Sequence, residues 1–182
     1  MMFCVAALQT GFQSDGTAGT VKEILKFEDE IKAANCKLLV LPETLLGGYP
    51  KGQDFGVKIG FRTPQGKEMF QKYWSRSVSI NGPEIHAICN LAKSNPFVIV
   101  SLLLLKPFAG CGTNIVIGVV ERDGSTLYCT VVFISEKGDI LGKHRKLVPT
   151  AGERFIFGTY SYLMQRFRVK LELLQVEATA HH

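Results

Sequence analysis

The chain has 182 residues, 46% of them hydrophobic and 20% charged, with a formal net charge of +5. That balance excludes an intrinsically disordered chain and suits one globular domain rather than two. The basic residues are dispersed, with their densest cluster at Lys143-His144-Arg145-Lys146, and no aromatic-plus-basic stripe accompanies them, so the charge gives no case for nucleic-acid binding.

Met1-Met2-Phe3-Cys4 has neither a basic leader nor a cleavage-like site and reads as no signal peptide. Phe3–Gln9 reads as a strand buried on both faces. Thr20-Val21-Lys22-Glu23 has the form of a capping box, and Ile24, Leu25, Phe27, Ile31 and Ala34 then give a helical apolar face. Leu38–Leu41 is a short apolar strand. Strand, helix and strand in this order make a βαβ unit, whose strands run parallel under helices. Pro42 ends the second strand and leaves Glu43 just past its carboxyl end, where open α/β sheets bind ligands.

The run Gly47-Gly48-Tyr49-Pro50-Lys51-Gly52 is loop. Residues 66–81 and 83–94 are predicted helices, the second opening on Pro83. Ile115–Glu121 and Thr126–Ser135 are strands around an Asp123-Gly124 hairpin signal, and Ile140–Lys143 is a third run. The most apolar stretch, Phe97–Leu105, is stopped by Lys106-Pro107 at about half the length that spans a bilayer. The five cysteines, Cys4, Cys36, Cys89, Cys111 and Cys129, lack metal-ligand spacing and read as free thiols of a reduced, cytoplasmic chain. The predicted class is α/β.

Glu43, pinned after apolar residues and a proline, is expected to be partly desolvated, which raises a carboxylate's pKa toward that of a general base. A glutamate beginning a surface loop is the plainer alternative. Lys146 near a buried carboxylate would stabilise a developing anion, or belong to a basic surface loop. His144 reads as a solvated or structural histidine. Glu153 would either orient a partner or form a salt bridge with a neighbouring basic residue.

Four ordered segments carry a resemblance. Residues 5–9, residues 41–52 around Leu41-Pro42-Glu43-Thr44, the hairpin 118–129, and residues 142–154 from Gly142-Lys143-His144-Arg145-Lys146 to Gly152-Glu153-Arg154 together resemble the amino-terminal part of the nitrilase branch of the carbon–nitrogen hydrolases. The resemblance implies an αββα sandwich with two central sheets, incomplete here at the C-terminal side. It implies hydrolysis of a nitrile (or an amide) to a carboxylic acid and ammonia through a cysteine thioester, with no cofactor and no metal. Glu43 would be the general base, Lys146 would stabilise the tetrahedral intermediate, and Glu153 would match a further active-site glutamate. Family members associate, so a homo-oligomer is implied, with no membrane and no nucleic-acid partner.

Two stretches depart from the pattern. Residues 96–113 look inserted within a partial hydrolase domain spanning 1–158, and 159–182 read as a divergent tail. The family's nucleophile lies in a Cys-Trp-Glu-like motif after the lysine, and this sequence has no cysteine beyond Cys129. Cys4, Cys36, Cys89 and Cys129 read as structural, and Cys111 as the most accessible. The chain is therefore expected to be inactive alone; the alternative is a non-catalytic chain that associates with others. Glu43 and Lys146 are expected to converge at the carboxyl edge of the sheet with Glu153 beside them, and residues 96–113 to form an extra element.

Overall fold

The computed structural model describes residues 4–61, 63–93 and 111–160. The element order is β1 (Cys4–Ala7), α1 (Thr17–Leu25), α2 (Glu28–Ala33), β2 (Cys36–Val40), α3 (Pro64–Arg76), α4 (Pro83–Ala92), β3 (Asn114–Asp123), β4 (Thr126–Ile134), β5 (Ile140–Arg145) and a 3₁₀ turn at Ala151–Phe155. The supposed insertion falls mostly, and the supposed tail almost wholly, outside the described residues. Among the described residues no helix is long and apolar enough to cross a membrane.

The strands form one mixed sheet in the order β1-β2-β3-β4-β5, parallel from β1 to β3 and antiparallel from β3 to β5. The βαβ start explains the parallel half. In the antiparallel half Asp123 pairs with Thr126, which leaves Gly124-Ser125 as a tight turn, and Gly124 takes a φ of 59° that a Cβ would resist. The second sheet of the expected sandwich is not among the described residues.

Alternation along β3 sorts its side chains to two faces. Ile115, Ile117 and Val119, with Val132 and Ile134 of β4, pack on Ile24 of α1, Ile31 of α2 and Ile85, Ile88 and Leu91 of α4. The opposite face carries a smaller cluster at one end: Val120, Leu127 and Cys129 against Phe55, Tyr73, Ile156 and Phe157. Among the described residues nothing else covers that face, and the expectation that β1 is covered on both sides is corrected: Val5 is 53% exposed.

The helix start also differs from the reading above. Thr20 is not an N-cap. Gly16, at φ 94°, turns the chain into α1, and the helix begins at Thr17. The Thr20 hydroxyl lies inside, donating to the Gly16 carbonyl and accepting from the Gln13 amide. The predicted single apolar face is divided between α1 and α2, which break at Phe27.

Candidate functional site

β2 has five residues and β3 has ten, so β2 stops partway along its neighbour. The chain then continues up the same edge of β3. The Leu41 amide donates to the Val116 carbonyl, the Gly118 amide to the Pro42 carbonyl, and the Val120 amide to the Leu46 carbonyl. Glu43 lies where this segment bows over Gly118. A Cβ on that glycine would stand 2.5 Å from Glu43 Cα, so the close approach requires glycine. Glu43 thus sits past the end of β2 but over the middle of the β3–β4 hairpin, not outside the sheet's edge as anticipated.

Thr44 turns the corner at φ 49°, a strained conformation for a β-branched residue. Its buried hydroxyl has no hydrogen-bond partner among the described residues.

Lys146 follows the last residue of β5. Its amide donates to the Cys129 carbonyl at 2.8 Å, and alternation sends Arg145 to the helix-covered face and Lys146 to the other. The Lys146 ammonium lies 3.2 Å from Glu43 Oε1, 3.3 Å from Glu153 Oε1 and 3.0 Å from Glu153 Oε2. The three sequence-predicted residues therefore meet, across 103 positions in the case of Glu43 and Lys146.

Their environments differ. Glu153 is 5% exposed and Glu43 is 57% exposed, so Glu153 is the more desolvated carboxylate and Glu43 the more open one. Glu153 is committed locally: its Oε2 accepts from the Thr150 amide at 2.7 Å and the Thr150 hydroxyl at 2.9 Å. This is a capping box on the 3₁₀ turn. Burial raises the Glu153 pKa, but the Thr150 amide, the Lys146 ammonium and the Thr150 hydroxyl outweigh it, and the net shift is downward. The salt bridge open to Glu153 in the sequence is the one it makes with Lys146. The Lys146 pKa is raised, chiefly by the Glu153 hydrogen bond, against a smaller burial penalty.

Two residues were not picked out as members of the site. Tyr49 faces Glu153, whose negative charge raises the phenol's pKa. Its place in the 41–52 segment was the available signal. Cys129 sits in the apolar cluster, as a structural cysteine would, yet its thiol donates to Glu43 Oε1 at 3.1 Å. Burial, followed by the Glu43 hydrogen bond and charge, pushes this thiol up to about 12. Cys111, expected to be the most accessible thiol, is half-buried against the helix-side core, with Sγ 3.6 Å from the Glu28 carbonyl.

A separate charged cluster lies on the other face. The Glu121 carboxylate is 1% exposed and accepts from Thr130, Lys143 and Arg145. Arg145 also reaches Asp123 at 2.6 Å and covers the Tyr128 ring at 3.8 Å.

A mixed α/β sheet carrying a carboxylate–ammonium–carboxylate cluster over its central hairpin defines the class of protein by fold and site. The carbon-nitrogen hydrolase family model matches residues 4–178, and the chain belongs to that family, in its nitrilase branch. It is 42% identical over 142 residues to a bifunctional nitrilase/nitrile hydratase of Lupinus angustifolius, covering 78% of this chain and 36% of that protein. It is 40% identical over 130 residues to a nitrilase of Bradyrhizobium diazoefficiens, covering 71% and 36%. The chain spans about a third of the length of these curated relatives. A CN-hydrolase superfamily protein from Xanthomonas campestris superposes with a TM-score of 0.56 at 15% identity over 92% of this chain and 51% of its own. An N-terminal amidase superposes with a TM-score of 0.54 at 16% identity over 81% and 28%. These two share the fold.

Proposed function

We propose that Glu43, Lys146 and Glu153 form the acid–base part of a nitrile-hydrolysing site. The observation that carries the proposal is the Lys146 ammonium held between two carboxylates, one exposed and one buried. Glu43 is the proton carrier because it is open to a substrate. Glu153 is already saturated by Thr150 and Lys146, and serves to hold the lysine. Lys146 stays protonated and faces the charge that develops on the attacked group.

In this reaction a thiol adds across the C≡N bond. The S–C bond forms, and the thiol proton passes through Glu43 to nitrogen. Water adds, ammonia leaves and a thioester remains. A second water releases the carboxylic acid and restores the thiol. An amide substrate would enter the same thioester by losing ammonia after the thiol adds.

In this reading none of the five free thiols of the chain is the nucleophile. Four of the five cysteines are placed elsewhere, and Cys129 is buried and keeps its proton. The chain by itself is therefore expected to release no ammonia from a panel of nitriles. In a chimera, this chain replaces the matching segment of the 40%-identical Bradyrhizobium nitrilase. It should turn over nitriles, and Glu43→Gln or Lys146→Ala should each cost about 10²–10³-fold in kcat. Turnover by the chain alone that vanishes in those two variants would overturn the missing-thiol part. A chimera indifferent to both substitutions would overturn the site itself.

A second reading, that the chain acts by associating with other chains, is favoured by the sheet face that the described residues leave uncovered. Ala7, Val40, Val116 and Phe133 pair in one row across four strands, on the side opposite the helices.

A further inference from the structure

We infer that Cys129 is a positioning residue for Glu43: its thiol anchors Oε1 and thereby makes Oε2 the oxygen that accepts the proton. The inference rests on the reading of Glu43 as the proton carrier and adds the atom and the residue that select it.

Two donors reach Glu43, and both reach the same oxygen. The Cys129 thiol lies 3.1 Å and the Lys146 ammonium 3.2 Å from Oε1. Oε2 has no hydrogen-bond partner among the described residues. A glutamate side chain that is 57% exposed would otherwise sample several rotamers, at a cost in entropy whenever it must be aligned. Anchoring one oxygen at two points leaves the other presented in a fixed direction.

The two donors are themselves held together. Cys129 is paired with Val120 across the hairpin, and its carbonyl accepts the Lys146 amide at 2.8 Å. The thiol and the ammonium therefore extend from neighbouring, hydrogen-bonded backbone positions.

The surroundings of Cys129 argue against the two simpler roles. As a nucleophile it would need an electropositive, partly open setting, but it is 7% exposed among Val120, Leu127, Ile156 and Phe157. As a mere space-filler it would need no polar partner, yet its Sγ–H is aimed at a carboxylate, the acceptor that most strengthens a weak thiol donor. The charged groups around Glu43 are Lys146, just past the end of β5, and Glu153 on the 3₁₀ turn, with the Tyr49 phenol beside Glu153; of these, Lys146 is the second donor to Oε1.

The test uses the full chain with ¹³C-carboxyl-labelled glutamate, Glu43 being assigned by its loss in Glu43→Gln. With the thiol gone the carboxylate is held by one donor instead of two, so at fixed pH Cys129→Ala should shift and broaden the Glu43 carboxyl resonance. Cys129→Ser, which keeps a donor, should return it toward the original position. If the alanine or serine chain does not fold, the infrared S–H stretch decides: in folded Glu43→Gln, one thiol band should move to higher frequency, because the amide is a weaker acceptor than the carboxylate. An unmoved Glu43 resonance in folded Cys129→Ala, or S–H bands identical in the original chain and Glu43→Gln, would overturn the inference. The proton-carrier reading fails separately, through a chimera whose turnover survives Glu43→Gln.

Discussion

A Cβ built on Gly118 would stand 2.4 Å from the Pro42 carbonyl oxygen and 2.5 Å from Glu43 Cα. Nothing in β3 can yield to relieve this, because Gly118 is hydrogen-bonded on one side to the Pro42 segment and paired with Val131 on the other. Gly118→Ala is therefore expected to lower stability by about 1–3 kcal/mol, the usual range for overpacking, and to lift Glu43 away from Cys129 and Lys146. Urea denaturation reads the first effect and the Glu43 carboxyl resonance the second. Gly11→Ala, where an added Cβ meets nothing within 4 Å, is the control and should leave both unchanged. Glu43 and Lys146 could be picked out from their motif segments. That Cys129 donates to Glu43 could not, because a mid-strand cysteine followed by threonine carries no local mark of what lies across the sheet.

At the scale of elements, β5 holds Lys146 by anchoring its neighbour. Arg145 grips Glu121 through two hydrogen bonds, at 2.8 and 2.7 Å, and β-alternation then turns Lys146 to the other face. Arg145→Ala would leave the buried Glu121 carboxylate with Lys143 and Thr130 as its remaining partners, a loss of up to about 3–5 kcal/mol for a broken buried pair; thermal unfolding at neutral pH measures it. The same network sets an acid limit. Burial raises the Glu121 pKa, but Arg145, Lys143 and Thr130 outweigh it and the net shift is downward, as it is for Glu153. A carboxylate with a depressed folded pKa stabilises above its unfolded value and loses that contribution as pH falls through the folded value. Stability should thus hold down to the ordinary glutamate value of 4.5 and decline below it, less steeply in Glu121→Gln. A Tm that does not fall on acidification below that value would contradict this. The capping box illustrates how element signals mislead: the pattern at Thr20–Glu23 lies within a helix begun earlier by Gly16, while Thr150–Glu153, of the same form, is the one that closes.

At the scale of the whole molecule, the described residues cover the sheet with helices on one face and at one end on the other. Val5 and Val40, 53% and 38% exposed, belong to a face that parallel strands normally bury, and an apolar sheet face in water favours association. Sedimentation should show concentration-dependent self-association of the chain, and the double substitution Val5→Lys with Val40→Lys should shift it toward the monomer. A monomer at every concentration in the unsubstituted chain would rule out association through this face.

Local periodicity was enough to read the strands, most of the helices and the hairpin, because alternation and turn chemistry are written within a few neighbouring residues. The family could be read from four ordered segments for the same reason. The sequence alone also placed Glu43 after a strand and Glu153 near Lys146. Only the tertiary structure decided which face each side chain takes, since the five-residue β2 ends partway along the ten-residue β3 and the segment after it must bow over Gly118. That bow brings Glu43 onto Cys129 and leaves it exposed while Glu153 is buried. Burial and contact across the sheet depend on register between distant strands, which no local pattern encodes.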